Sequence, residues 1–167
     1  MNTDAVCEVK PLLQKIAGLI QKIEGALNQL VPFGDLLLRC WVAYAFWVSG
    51  WIKVNNWDST LYLFQSEYSV PLLAPELAAF LGSTVELCCP VLLALGLFGH
   101  GAAALLFLFN IVAVLSYPDL GAAGLEQHTV WGIMLLVCML HEPGTWSVDA
   151  WINQHFFMPD QPTKEKS

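Results

Sequence analysis

Apolar and polar positions along this chain follow two different patterns. Between residues 12 and 30, Leu12, Ile16, Leu19, Ile20, Ile23, Leu27 and Leu30 recur at helical spacing, while Lys15, Gln21 and Lys22 face elsewhere. That periodicity predicts an amphipathic helix. Further on, apolar residues no longer keep to one face but run continuously over 36–54, 75–97, 101–117 and 128–140. A helix needs about 20 residues to cross about 30 Å of hydrocarbon, with about 17 at the short end. The first two runs meet this directly, and the last two meet it by extending into their flanks. The pattern predicts an all-α protein, a four-transmembrane-helix bundle preceded by an amphipathic interfacial helix.

The connecting segments set the expected domain limits. The "VPFGD" stretch at 31–35 is expected to break the first helix. This gives an amphipathic helix and connector over 1–34, a membrane domain over 35–151 and a cytoplasmic tail over 152–167. The amphipathic helix is expected on the cytoplasmic membrane surface, with packing on a soluble partner as the alternative. Residues 55–76 mix Trp57, Tyr62, Phe64 and Tyr68 with Asp58 and Glu67, a composition that predicts an extracytoplasmic interfacial cap rather than a free loop. Pro75 suits the first position of a helix. "GLFGHG" reads as a tight return around His100, "PDLGAAGLEQ" as a second outer loop, and "DQPTKEKS" as a disordered tail.

Composition changes the picture only in confirming the class. The chain is 56% apolar and 13% charged with a mean hydropathy of +0.56, far from the quarter or so of charged residues in soluble domains. Asp4, Glu8 and the lack of a continuous apolar run before Leu36 argue against a cleaved signal peptide. Lys10, Lys15, Lys22 and Arg39 precede or open the first span, Lys164 and Lys166 follow the last, and Lys53 alone falls at the opposite end. The positive-inside rule then places both termini in the cytoplasm. The net charge of −7 suggests no nucleic-acid partner. Cys7, Cys40, Cys88, Cys89 and Cys138 all fall in the cytoplasmic half of this topology, so no extracytoplasmic disulfide is expected. Adjacent Cys88 and Cys89 point about 100° apart on a helix and read as apolar packing.

Ionisable residues inside spans face the bundle interior and are the functional candidates. Glu86 is the only Asp, Glu, Lys or Arg between residues 77 and 117. By rise per residue it falls midway along the second span, level with Asn110 of the antiparallel third, so a Glu86–Asn110 hydrogen bond is expected. Ser83 shares the small-residue face of Ala79, Gly82 and Glu86, and Pro90 frees the Glu86 carbonyl. Two readings stand: a small polar pocket, or a clamp that only fixes helix pairing. On the first span Arg39, Phe46, Gly50 and Lys53 share one face. Lys53, His128 and Trp131 are candidates for an outer polar mouth, with snorkelling as the alternative for Lys53 and a helix-end role for His128. Arg39 and Asp149 are candidates for an inner ion pair. His100 and His141 are too scattered to make a metal site, and no metal is expected. No C-x-x-C, phosphate loop, nucleophile–base pair or haem motif is present.

Taken together, "LLLRCWVAYAFWVSGWIKVNNWDSTLYLF", "EYSVPLLAPELAAFLGSTVELCCPVLLALGL", "EQHTVWGIMLL" and "PGTWSVDA" resemble the DoxX family of small four-helix bacterial membrane proteins. The order and spacing of Arg39, Phe46, Gly50, Lys53, Glu86, His128, Trp131, Pro143, Gly144, Ser147 and Asp149 carry the resemblance over about residues 35–151. Where relatives commonly carry an Arg after the "LGL" turn, this chain has His100. The resemblance implies the bacterial inner membrane and a redox association, since the family takes its name from a quinone-linked thiosulfate-oxidising complex and relatives are linked to thiol stress. Some long-N-terminus relatives look like companions of small metal-binding peptide systems. The expected function is therefore a membrane subunit or accessory protein of a quinone-linked or thiol redox process, as an oxidoreductase subunit or homo-oligomer with quinone as the candidate cofactor. A small-solute or metal transport helper and a scaffold recruiting a cytoplasmic enzyme are the alternatives.

Overall fold

The computed structural model describes residues 3–70, 72–141, 144 and 146–157. Expectations for Pro143, Lys164, Lys166 and the tail beyond 157 lie outside the described residues, as do those for the side chains of Asp4, Cys7, Glu8, Lys10 and Leu12. Helix α1 spans Thr3–Asn55, α2 Trp57–Ser66, α3 Pro75–Leu95, α4 Gly99–Ser116, α5 Gly121–Leu140 and α6 Val148–Ile152, followed by a π-helical turn at Asn153–Phe157. The described chain contains no strand. Four of these helices, α1, α3, α4 and α5, are long and apolar enough to cross a membrane.

α1 packs on α3, α3 on α4, α4 on α5, and α5 returns to α1, closing a four-helix bundle with α2 lying over one end. Small residues let the helices approach: Ala79, Gly82, Ala102 and Ala103 are buried between them, around Val42, Phe46, Leu93, Leu106 and Leu135. Small interfacial residues are the usual means of helix association where lipid offers no hydrophobic drive. Large apolar side chains such as Trp41, Phe80, Leu108 and Ile133 point outward. That arrangement suits a hydrocarbon surround rather than water.

Two expectations about boundaries are corrected. α1 runs unbroken through Val31–Asp35, where a break was expected. Proline's fixed φ is itself helical, so Pro32 removes one hydrogen bond while the turns on either side keep theirs. α5 begins at Gly121 rather than near His128, so much of the expected second outer loop is helical. Alanine is the strongest helix former, and Gly121-Ala-Ala-Gly124 misled through its glycines. Within the segment expected as an interfacial cap rather than a free loop, residues 57–66 form a helix over one end of the bundle, with Thr60 and Phe64 buried beneath it.

The end opposite α2 is tied down by the α3–α4 turn. Gly96 adopts φ +64°, closing α3 with Gly96 N–H donating to Leu93 O at 3.1 Å and Leu97 N–H to Leu92 O at 3.0 Å. A side chain there would be strained and would also collide with Arg39 and Ser147. The Ser147 side chain accepts from Ala150 N–H at 3.1 Å and starts α6.

Candidate functional site

Gly50 of α1 faces Glu86 of α3 so closely that a Cβ on it would lie 2.8 Å from the Glu86 Cβ. The missing side chain therefore lets two backbones meet, and it brings the rest of the α1 face to the acid. Lys53 lies one turn further along α1. Its Nζ donates to Glu86 Oε1 at 2.6 Å and to Oε2 at 2.5 Å, while Ser49 Oγ donates to Oε1 at 3.1 Å. The Glu86 side chain is 5% exposed and that of Lys53 21%. Lys53 also stands 5.9 Å from the centroid of the Phe109 ring. This is the only ion pair among the described residues.

Burying two charges is costly, and the cost is met only when geometry and extra hydrogen bonds are good. Here both carboxylate oxygens are engaged, one of them twice. The lysine answers the question posed by an acid in an apolar span, and it does so in place of Asn110. The expected Glu86–Asn110 bond is not formed. Asn110 Nδ2 instead donates to the backbone carbonyl of His128 at 2.9 Å, and its Oδ1 lies 2.7 Å from His128 Nδ1. A carbonyl can only accept, so the amide nitrogen must face it and Oδ1 must accept from His128 Nδ1–H. Asn110 thereby holds the ring as the Nδ1–H tautomer and leaves Nε2 as an acceptor.

Lys53, Glu86 and His128, but not Asn110, line one cavity of about 230 Å³ beneath α2. Ser49, Lys53, Glu86, Ser116 and His128 supply its polar lining, and Phe64, Tyr68, Phe109 and Tyr117 its aromatic walls. Phe64 stacks on Tyr68 with centroids 4.8 Å apart, and Tyr68 on Tyr117 at 4.9 Å, so three rings form a continuous wall. The connector after α2 is fastened there by Ser69 N–H donating to Ser116 O at 2.9 Å. Burial, with Tyr117, Glu86 and Glu67 nearby, pushes the Tyr68 phenol above its usual range. Tyr68 is accordingly a hydroxyl donor at neutral pH.

The remaining predicted residues divide. Ser83 Oγ is buried without a hydrogen-bond partner and does not line this cavity. Trp131 packs edge-on against His128 at 5.0 Å and beside Phe46 at 5.7 Å, and it borders an outer groove between α1 and α5 rather than the cavity. Arg39 and Asp149 lie at the expected end but do not pair. Arg39 Nη2 donates to Trp146 O at 2.9 Å, whereas Asp149 accepts from Phe98 N–H at 3.0 Å and Gly99 N–H at 3.1 Å. A carboxylate at the start of α4 caps free amides and meets the positive end of the helix dipole, which competes effectively with the arginine. Sequence reasoning missed Ser49, Phe64, Tyr68, Phe109, Ser116 and Tyr117 as cavity residues. Only Ser49, one turn before Lys53, carried a signal that could have found it. Among the described residues no three His, Cys, Asp or Glu side chains converge as a metal-ligand set.

No curated protein and no solved structure matches the chain. A family model does: that of DoxX matches residues 34–118, from the foot of the first span through the third and across Lys53, Glu86 and Asn110. With half of its length matched and four apolar helices forming the bundle, this integral membrane protein belongs to the DoxX family.

Proposed function

We propose that the protein is the membrane subunit of a quinone-linked redox process and that the cavity beneath α2 receives a ring headgroup. The observation that carries this reading is the pairing of aromatic walls with two polar stations, Lys53–Glu86 and the His128 ring held from behind by Asn110, around one cavity of about 230 Å³. Its size and chemistry fit a one- or two-ring quinone: flat apolar faces for the ring, and donors and acceptors for its oxygens. None of Cys40, Cys88, Cys89 and Cys138 lines the cavity, which favours the quinone branch of the redox reading over the thiol branch.

A bound quinone would supply a two-electron, two-proton couple, with the electrons exchanged with a partner oxidoreductase. The residues of this chain supply the rest. Phe64, Tyr68 and Tyr117 hold the ring and keep water from it. Lys53 Nζ and the Tyr68 hydroxyl donate to a ring oxygen, Glu86 holds or releases a proton beside Lys53, and His128 Nε2 accepts at the second station. Asn110 acts through His128 as a positioning residue. The positive side chains Lys15, Lys22 and Arg39, set against Lys53 alone at the other end, support an inner-membrane topology with both termini cytoplasmic.

The test is extraction with native lipids followed by assay of bound quinone. Wild-type protein is expected to carry quinone, and Glu86→Gln and Tyr68→Ala to lose at least about tenfold in occupancy, the scale of a lost buried hydrogen bond or ring contact. Equal occupancy in all three, or none in the wild type after reconstitution with added quinone, would overturn the proposal.

A further inference from the structure

Ile16, Ile20, Ile23, Leu27 and Leu30 follow one another along α1 at spacings of four, three, four and three, and each is between 46% and 61% exposed. The alternation continues through Gly34 to Leu37 and Trp41, both also exposed, and the sequence carries it back to Leu13, Val9 and Val6. A strict seven-residue repeat keeps one seam turned toward a neighbouring helix of the same kind through a left-handed supercoil. The same spacing also suits an amphipathic helix lying on a membrane, but α1 runs unbroken out of the bundle, which carries the seam away from the bilayer surface. The seam therefore has the form of a helix–helix contact whose other half is missing from the monomer.

Three observations point to a second copy as that other half. Arg39, Val42, Phe46 and Gly50, which bind α1 into its own bundle, lie on the side of the helix opposite the seam, so a partner would not compete with the fold. The polar residues Gln14, Gln21 and Asn28, with Lys15 and Lys22, also lie away from the seam. Length is the third. At ~1.5 Å per residue an unbroken helix from Thr3 to Asn55 is about 80 Å long against about 30 Å of hydrocarbon, so its first half projects beyond the bundle instead of folding back onto the bilayer. Gly18 and Gly25 stand on its back with nothing near them, and glycine at such positions weakens a lone helix. Two chains in one membrane present this projection on the same side and in the same direction.

We infer that the projecting part of α1 is a parallel coiled-coil interface that joins the seam of one chain to the same seam of a second copy. In lipid nanodiscs the full-length wild type is expected at twice the protein mass of one chain or more by light scattering. The double variant Ile20→Glu/Leu27→Glu is expected at the mass of one chain, and Gln21→Glu/Asn28→Glu, with equal added charge on the back, at wild-type mass. A photo-crosslinking residue placed at position 27 should join two chains, and one at position 21 should not. These positions are exposed in the monomer, so loss of the bundle does not confound the result. A wild type of single-chain mass, an unchanged mass in the seam variant, or cross-linking at position 27 to lipid alone would overturn the inference.

Discussion

At the scale of single residues, the buried acid is governed by its distance along the helices. Sequence arithmetic placed Glu86 level with Asn110 by letting each span start at a common membrane plane. In the fold, Gly50 lies level with Glu86, so α3 rises roughly six residues past the end of α1, about 9 Å. The space above the end of α1 is filled by α2, and Lys53, a candidate for the outer mouth with snorkelling as the alternative, is carried inside to Glu86. Removing one partner should therefore be more damaging than removing both. Lys53→Met leaves a buried carboxylate uncompensated and is expected to cost about 3–5 kcal/mol in denaturant unfolding in mild detergent. Adding Glu86→Leu in the same chain should recover most of that loss; a double variant no more stable than Lys53→Met would contradict the ion-pair account. Asn110→Leu should leave the bundle assembled but shift the His128 ring toward a mixture of tautomers, visible in its 15N imidazole resonances. An unchanged spectrum would show that Asn110 does not fix the ring.

Between elements, close approach and capping carry the predictions. A Cβ at Gly50 must push α1 from α3, because it would meet Glu86 Cβ and the Glu86 carbonyl carbon at 2.8 and 3.1 Å. Gly50→Ala is expected to lose about 1–3 kcal/mol, the usual cost of overpacking, and to loosen the Lys53–Glu86 pair. Asp149→Ala removes the acceptor for two amides at the start of α4 and should cost about 0.5–2 kcal/mol. Asp149→Asn, which keeps an acceptor, should cost less; identical losses would point away from capping. The element boundaries themselves were legible where chemistry punctuates the chain, as at Pro75 and Gly96. They were not legible at Pro32 and Gly121, where residues that usually end helices are carried within or at the start of one.

For the whole molecule, four crossings put the projecting part of α1 and α6 at one end and the cavity at the other. Labels at positions 15 and 155 should therefore react from the same side of sealed vesicles, and one at position 62, on α2, from the opposite side. Labelling of positions 15 and 62 from a single side would break the four-span arrangement. The cavity then lies toward the end of the bundle covered by α2.

The all-helical class, the four apolar helices and the lone acid within the second of them were legible in the sequence, because run length and an isolated charge are local properties of a chain. Membership of the family was legible in the same way, through the spacing of Arg39, Gly50, Lys53 and Glu86. The partner of each polar group was decided only by the tertiary structure. Lysine rather than asparagine meets Glu86, asparagine meets histidine, and an aspartate expected to hold Arg39 caps a helix instead. Partner choice depends on how far one helix slides past another and which faces meet, and neither quantity is written in the spacing along any single helix.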